Sequence, residues 1–581
     1  MNMKFKLNPA YKESQSTSDK IMSAEETVRT FTEKSESANL DILEDATRID
    51  NGRLDIPVYF STCGPDAFSL TGTRKQMGKG ATPELAKASA VMELAERFSI
   101  YSFLENPDNF ITDTYANVQD RAVDFQYIAR SVHDEDSAFY VESRQIFSDI
   151  EFRWAKAYNL SKNQEVLIPV DWFFLINEFN GTCAGNCKEE AICQGACELV
   201  ERHVCDIVSG KMPSLPRIDP SSARTPETRE LIRKFSDNGI RVAIQDFTLD
   251  MGIPTVGAVA WDPATFPAES EIVWTAGTAP NPDKALSRAL TEVAQLAGDF
   301  NTASNYVASG LPKFESIDEA EKFVEKSSGP VDLSTLPDIS SHNIKEEVTE
   351  IIQALEQNGM DLFVIETTDP NLGIPAFYCI IPGTRFRERA ENSSVAMFTA
   401  RYIFENHPHE KAYDKLMKMA EMIPNQYYVE FFLGLCRLSS GDPEHALSHL
   451  EKAMELEPSA QDIPSICSYT GVCLKEAGEY ERALQVLSTG LEADSERTDI
   501  HNLMGFCNFM LKRHEESIRC FKEVIRLDPG SAIDHASIGS NYRELGDIEK
   551  AKQYYEIALA IDPGLDFARE NLEKLEKVNY S

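Results

Sequence analysis

The chain has 581 residues, of which 42% are hydrophobic and 9% aromatic, a composition that suits several globular domains and excludes disorder. A formal net charge of −37 works against non-specific nucleic-acid binding and favours recruitment of divalent cations. No apolar run reaches the roughly eighteen residues of a membrane helix, MNMKFKLNPAYKESQ lacks the apolar core of a secretory signal, and the 12 cysteines read as free thiols of a reducing, cytoplasmic setting.

Residues 1–45 are polar, with SQSTSDK and TEKSESANLD, and read as a flexible lead-in with one helix near 24–34. Over 46–395 strands and helices alternate. IPVYF (56–60), RVAIQDF (241–247), TVGAVAWD (255–262), EIVWTAGT (271–278), DLFVIET (361–367) and AFYCIIP (376–382) are rich in β-branched and aromatic residues, bounded by Gly, Pro or Asp, and predict strands.

Three helices announce their starts. In GKGATPELAKASAVMELAERF, Thr82 is placed as N-cap and Pro83 as the first helical residue, where a missing N–H costs nothing. In GNCKEEAICQGACELVERHV, Asn186 is placed as N-cap with Glu189 in the capping-box position. In NPDKALSRALTEVAQLAG, Asn281 and Pro282 repeat the first arrangement and Gly298 marks the stop.

Residues 396–423 read as a helical linker, and 424–581 as an all-α repeat. Gly471, Gly505 and Gly539 recur every 34 residues, and Pro529 and Pro563 close VIRLDP and ALAIDP at the same spacing. Ala446, Ala483, Ser517 and Ala551 are the small residues that let paired helices approach. Gly441, Gly478 and Gly546 fall at turns, where the third unit has Lys512-Arg513 instead. These phrases resemble tetratricopeptide repeats, a helical solenoid whose default role is to bind another protein.

The central signal is a pentapeptide written almost twice, ELAER at 93–97 and ELVER at 198–202. A polar leader and two acids recur at spacings of four and three: Ser89, Glu93, Glu96, then Gln194, Glu198, Glu201. At about 100° per residue each trio spans roughly 60° of its helix. The third helix repeats the comb as Arg288, Glu292, Gln295. Apolar flanks such as Val91, Leu94, Ala95 and Ile192, Ala196, Leu199 make these narrow acidic stripes, unlike a half-polar surface helix. A solvent-facing stripe balanced by Arg97 and Arg202 explains one such helix, but three with a shared comb imply convergence. Four carboxylates in one cavity need cations between them. All-oxygen ligands favour magnesium, which keeps waters and shares its sphere with phosphates. Lys79 and Arg288 supply positive groups for those phosphates.

In this order, LDIPVYFSTCGP, GKGAT with ASAVMELAER, GNCKEEAICQGACELVER and RALTEVAQ resemble the YcaO domain, over about 47–382. The resemblance implies an α/β (α+β) domain with mixed sheets and three site-bearing helices, usually in a homodimer. It assigns Lys79, Ser89, Gln194, Arg288 and Glu292 to ATP, and Glu93, Glu96, Glu198 and Glu201 to Mg2+. It also implies phosphorylation of a backbone amide oxygen of a peptide or protein, which turns a poor leaving group into a good one. The chain ends KLEKVNYS after helical repeats, with none of the proline-rich tail of azoline-forming members. That layout resembles YcaO proteins that act as accessory factors for methylthiolation of a small-subunit ribosomal protein. The alternative is a non-catalytic nucleotide-binding adaptor whose repeats scaffold a modification complex.

Cys183, Cys187, Cys193 and Cys197 lack the C-x2-C spacing of common zinc sites and are expected to pack. Cys205, one turn beyond Glu201, is the thiol placed for reactivity, with packing as the plainer role. His203 receives no role.

Overall fold

The computed structural model describes residues 5–13, 19–303, 305–306, 308, 310–386 and 393–578, with side chains to 576. It divides into two compact units, Met1–Tyr140 with Ser148–Val395, and Val141–Phe147 with Ala396–Ser581.

In chain order the first unit contains α1 (Ala24–Ser37), β1 (Leu43–Arg48), β2 (Val58–Cys63), β3 (Lys75–Lys79) and α2 (Pro83–Glu105). Then follow β4 (Ile111–Thr114), β5 (Glu151–Asn159), β6 (Gln164–Pro169), β7 (Thr182–Ala184) and α3 (Lys188–Lys211). Next are β8 (Arg217–Ile218), α4 (Pro226–Asp237), β9 (Arg241–Asp246), β10 (Thr255–Trp261), β11 (Val273–Thr278) and α5 (Pro282–Ala297). Last come β12 (Pro330–Val331), α6 (Ile344–Gln357), β13 (Phe363–Glu366) and β14 (Ala376–Ile380). Shorter helices lie between them.

The strands form three sheets with orders β1-β2-β3, β11-β10-β9-β8-β12 and β4-β5-β13-β14-β7, with β6 added beside β5. Each site helix lies on a different sheet: α2 on β2 and β3, α5 on β10 and β11, α3 on β7 and β14. A helix that covers a sheet buries one stripe and keeps another free for the site. The approach of α2 to β3 is very close. A Cβ on Gly78 would stand 2.0 Å from the Ala90 nitrogen, so glycine is what lets the strand lie against the helix.

The predicted starts of α2 and α5 are present. Thr82 Oγ1 accepts from the Leu85 amide, and Asn281 accepts from the amides of Asp283 and Lys284. The start of α3 differs. Cys187 is the N-cap and offers no side-chain bond, while Glu190 reaches back to the amide and side chain of Asn186. The reach-back was expected from Glu189, but that carboxylate accepts from the Asn8 amide at 2.6 Å.

All six predicted strands are found, five trimmed at their ends and the first shifted to Val58–Cys63. Strands β1, β3 to β8 and β12 lie outside the predicted stretches; in β1 and β3, LEDATR and KQMGK carry no run of β-branched or aromatic residues. The stretch read as a flexible lead-in is a second difference. Phe31 of α1 and Ile42 are buried in a cluster with Val91, Leu94 and Phe98 of α2. Lys12 pairs with buried Glu347 at 2.5 Å. A few well-spaced anchors were enough to fix a polar segment.

From the last residue of the first unit onward, helices Val395–Asn406 and His409–Met422 occupy the stretch read as a linker. Four helix pairs follow: Tyr427–Ser439 with Pro443–Glu455, Ile463–Glu476 with Tyr480–Ala493, Thr498–Met510 with His514–Leu527, and Ala532–Glu544 with Ile548–Ile561. Ala446, Ala483, Ser517 and Ala551 are fully buried between them, and Gly471, Gly505 and Gly539 lie against Leu487, Phe521 and Tyr555. At the third turn Lys512 itself takes the left-handed conformation, φ 61°, that glycine adopts in the other pairs.

Candidate functional site

Lys79, Ser89, Glu93, Glu96, Gln194, Glu198, Glu201, Arg288 and Glu292 all line one cavity of about 850 Å3 in the first unit. The three combs face one another across it because their helices present the stripes that their sheets leave uncovered. Gln295 completes the third comb on the same wall.

On the α2 wall Arg97 brackets the acids. Its Nη2 lies 2.7 Å from Glu93 Oε1, its Nη1 2.8 Å from Glu96 Oε1, and Nη1 also donates to Thr182 Oγ1 at 2.9 Å. On the α3 wall Glu198 accepts from the Gly181 amide at 3.2 Å, and Glu201 accepts from the Thr278 amide at 3.0 Å. Arg202 stands 3.7 Å from Glu198, and its buried Nε has no hydrogen-bond partner among the described residues. On the α5 wall Arg288 donates to Gln194 at 2.6 Å, and Glu292 contacts Lys79 at the end of β3.

Burial raises the Glu96 carboxyl well above the ordinary range, and the neighbouring charges of Glu93 and Glu198 push the same way against Arg97. Glu198 is also raised by burial, against the pull of Arg202. Burial lowers Lys79 to about 8. The cavity therefore stores like-charge repulsion that a bound cation would relieve.

Among the described residues no three acidic, histidine or cysteine side chains close on one point tightly enough to hold a metal by themselves. The arrangement is pairs of carboxylates on two walls with cationic side chains beside them. This donor set fits magnesium, which takes one or two carboxylates, keeps waters and completes its sphere with phosphate oxygens.

The structure adds residues that the sequence reading did not nominate. Asp19, Lys20 and Glu190 line this cavity and a second one of about 850 Å3 that adjoins it. Lys20 Nζ lies 3.6 Å from Glu190 Oε1, and the Ile21 amide donates to Glu190 Oε2. A lysine and an aspartate far from any helix comb gave no sequence signal. Cys193 and Cys197 are buried on the rim of the second cavity. Cys205 is also buried, and burial with the charge of Glu201 raises its thiol, which argues for packing over reactivity. His203 accepts from the Arg385 amide at 3.0 Å and is lowered to about 4 by burial and Arg385, as a structural contact would be.

A family model described as YcaO cyclodehydratase, ATP- and Mg2+-binding, matches residues 77–385. Tetratricopeptide-repeat models match 437–505, 498–531 and 535–564. The chain is 26% identical over 380 residues to an uncharacterized protein of Methanothermobacter thermautotrophicus, covering 62% of this chain and 93% of the relative. It is 27% identical over 245 residues to the ribosomal protein S12 methylthiotransferase accessory factor YcaO of Escherichia coli, covering 38% of this chain and 40% of that protein. A heterocyclase solved in complex with substrate and cofactor shares the fold, with TM-score 0.55 and 21% identity over 66% of this chain and 54% of the other.

Proposed function

Because the chain belongs to the YcaO family, whose model is described as ATP- and Mg2+-binding, we propose that it activates a backbone amide of a protein or peptide by O-phosphorylation. The observation that carries the reading is the convergence of nine nominated side chains on one cavity. Ser89, Gln194, Arg288 and Glu292 bind and orient ATP, and Lys79 faces its phosphates. Glu93, Glu96, Glu198 and Glu201 hold Mg2+, which when bound neutralises phosphate charge and favours phosphoryl transfer.

The amide oxygen attacks the γ-phosphorus, the bond from that phosphorus to the bridging oxygen breaks, and ADP leaves. A nucleophile then adds to the activated carbon and inorganic phosphate departs with the former amide oxygen. In this scheme the protein positions the reactants and stabilises charge, and none of its side chains forms a covalent bond to substrate. The repeat unit docks a protein partner, the enzyme acts as a cytoplasmic homodimer, and the setting is modification of a ribosomal protein. The likeness to the accessory factor from Escherichia coli supports that setting.

The test is calorimetric titration of ATP with and without Mg2+, on the wild type and on Glu198→Ala. Mg2+-dependent binding that the substitution abolishes is the expected result. No binding in any condition would overturn the reading, and binding without turnover in the presence of client proteins would leave an adaptor.

A further inference from the structure

The turn at 178–182, outside every motif that the sequence reading used, touches both acidic walls at once. It follows the helix Val170–Asn177 and leads into β7. Thr182 Oγ1 accepts from Arg97 Nη1 at 2.9 Å and contacts Glu96 Oε1 on α2. Its hydroxyl also lies 2.7 Å from the Phe179 carbonyl, which fixes its rotamer. The Phe179 ring lies under the Arg97 guanidinium at 4.4 Å and packs edge-on against Phe174 at 5.4 Å. One residue before Thr182, the Gly181 amide donates to Glu198 Oε2 on α3.

The turn has little freedom to sit elsewhere. Glu178 holds φ 48° and Gly181 φ 90°, and a Cβ on Gly181 would stand 2.3 Å from the Cys379 carbonyl oxygen of β14. Residues 182–184 are paired to β14 by strand hydrogen bonds. The turn is thus fastened to the sheet beneath α3 while its side chains hold α2.

The contacts divide the carboxylates in a useful way. Arg97 and Thr182 engage Oε1 of Glu93 and Glu96, which leaves Oε2 of each outside these bonds, and Gly181 engages Oε2 of Glu198, whose Oε1 faces Arg202 at 3.7 Å. Partners that fix one oxygen of a ligand orient the other toward a metal, and their loss typically costs 10- to 100-fold in affinity.

We propose that the 178–182 turn, through Thr182, Phe179 and the Gly181 amide, sets the spacing between the acidic pairs of α2 and α3 and so tunes the affinity for the divalent cation. Thr182 and Phe179 are positioning residues that act through Arg97 and Glu96. The inference rests on the reading of these carboxylates as metal ligands.

The experiment measures Mn2+ affinity by electron paramagnetic resonance, in the presence of a non-hydrolysable ATP analogue, on the full chain. The variants are Thr182→Val, Thr182→Ser and Phe179→Leu, each checked for folding by circular dichroism without metal. Thr182→Val should weaken Mn2+ binding by on the order of 10- to 100-fold, and Phe179→Leu by on the order of 10-fold. Thr182→Ser, which restores the hydroxyl, should return within about 3-fold of wild type. Wild-type affinity in both folded Thr182→Val and Phe179→Leu would overturn the inference alone. If Thr182→Val does not fold, Phe179→Leu decides. Failure of the wild type to bind Mn2+ would overturn the metal reading and the inference with it.

Discussion

Arg288 on α5 donates from Nη1 to Oε1 of Gln194 on α3 at 2.6 Å, so the leaders of two combs are bonded directly across the cavity. Gln194→Leu removes the acceptor and leaves the guanidinium to find another partner. ATP affinity should fall by on the order of 10-fold, the range for loss of a hydrogen bond to a charged group. Calorimetry of the variant checks this, and unchanged affinity would show that Gln194 does not orient Arg288 for the nucleotide.

Lys79 gives the site a pH dependence. Its ammonium, lowered by burial to about 8, is charged below that pH and lost above it. Phosphate beside it favours the charged form, so ATP binding should take up protons between about pH 8 and 9.5. Titration in two buffers of different ionisation enthalpy reads the uptake, which should vanish in Lys79→Met. In the ligand-free protein the unfolded lysine binds more protons across that window, so this group makes stability rise as pH increases through it.

Glu198→Gln separates function from stability. The carboxyl is already raised by burial, with Glu201 and Glu93 pushing the same way against Arg202 and the Gly181 amide, and an amide oxygen can still accept from that amide. Without metal the variant should be more stable than wild type by about 0.5–2 kcal/mol, as when a strained functional charge is removed. It should lose the additional stabilisation by Mg2+ and ATP. Chemical denaturation with and without both ligands measures the two effects, and a destabilised metal-free variant would mean that the charge is paired, not strained.

Gly78→Ala tests how β3 delivers Lys79. The added methyl meets backbone atoms of Ala90 and Ala86, which cannot swing aside as a side chain could. The expected cost is about 1–3 kcal/mol of stability. ATP affinity should drop with it, because the strand end that carries Lys79 must move away from α2. A thermal melt and a binding titration on the same sample report both.

Leu487 is fully buried in the second helix pair, against Gly471. Leu487→Ala should destabilise the repeat unit by about 2–5 kcal/mol through the cavity it leaves. Each unit has its own core, so ATP and Mg2+ binding in the first should persist. Calorimetric unfolding should show a lowered repeat transition beside an unchanged, ligand-stabilised one. Loss of nucleotide binding would show that the two units depend on each other.

What the sequence alone determined is whatever recurs along one helix or one strand. The combs of α2, α3 and α5 are local periodicities, so eight of the nine nominated residues could be read without knowing where the helices would meet, and Lys79 was named by the GKG just ahead of α2. The repeat phrases and the caps at Thr82 and Asn281 are local in the same sense. The sequence named Lys79, Arg288, Arg97 and Arg202 as the cations near the acids, and only the tertiary structure decided which contacts hold them there. Arg97 looks like a partner for its own helix, yet it also donates to Thr182 and lies over the ring of Phe179, 85 and 82 residues away by numbering. Lys20 and Asp19 reach the cavity from a polar segment fixed by Phe31, Ile42 and Glu347, and no pattern near them says so. A helix writes its stripe into its own spacing, but a turn that bridges two helices is specified by the sheet beneath it, and that information is spread across strands distant in the chain.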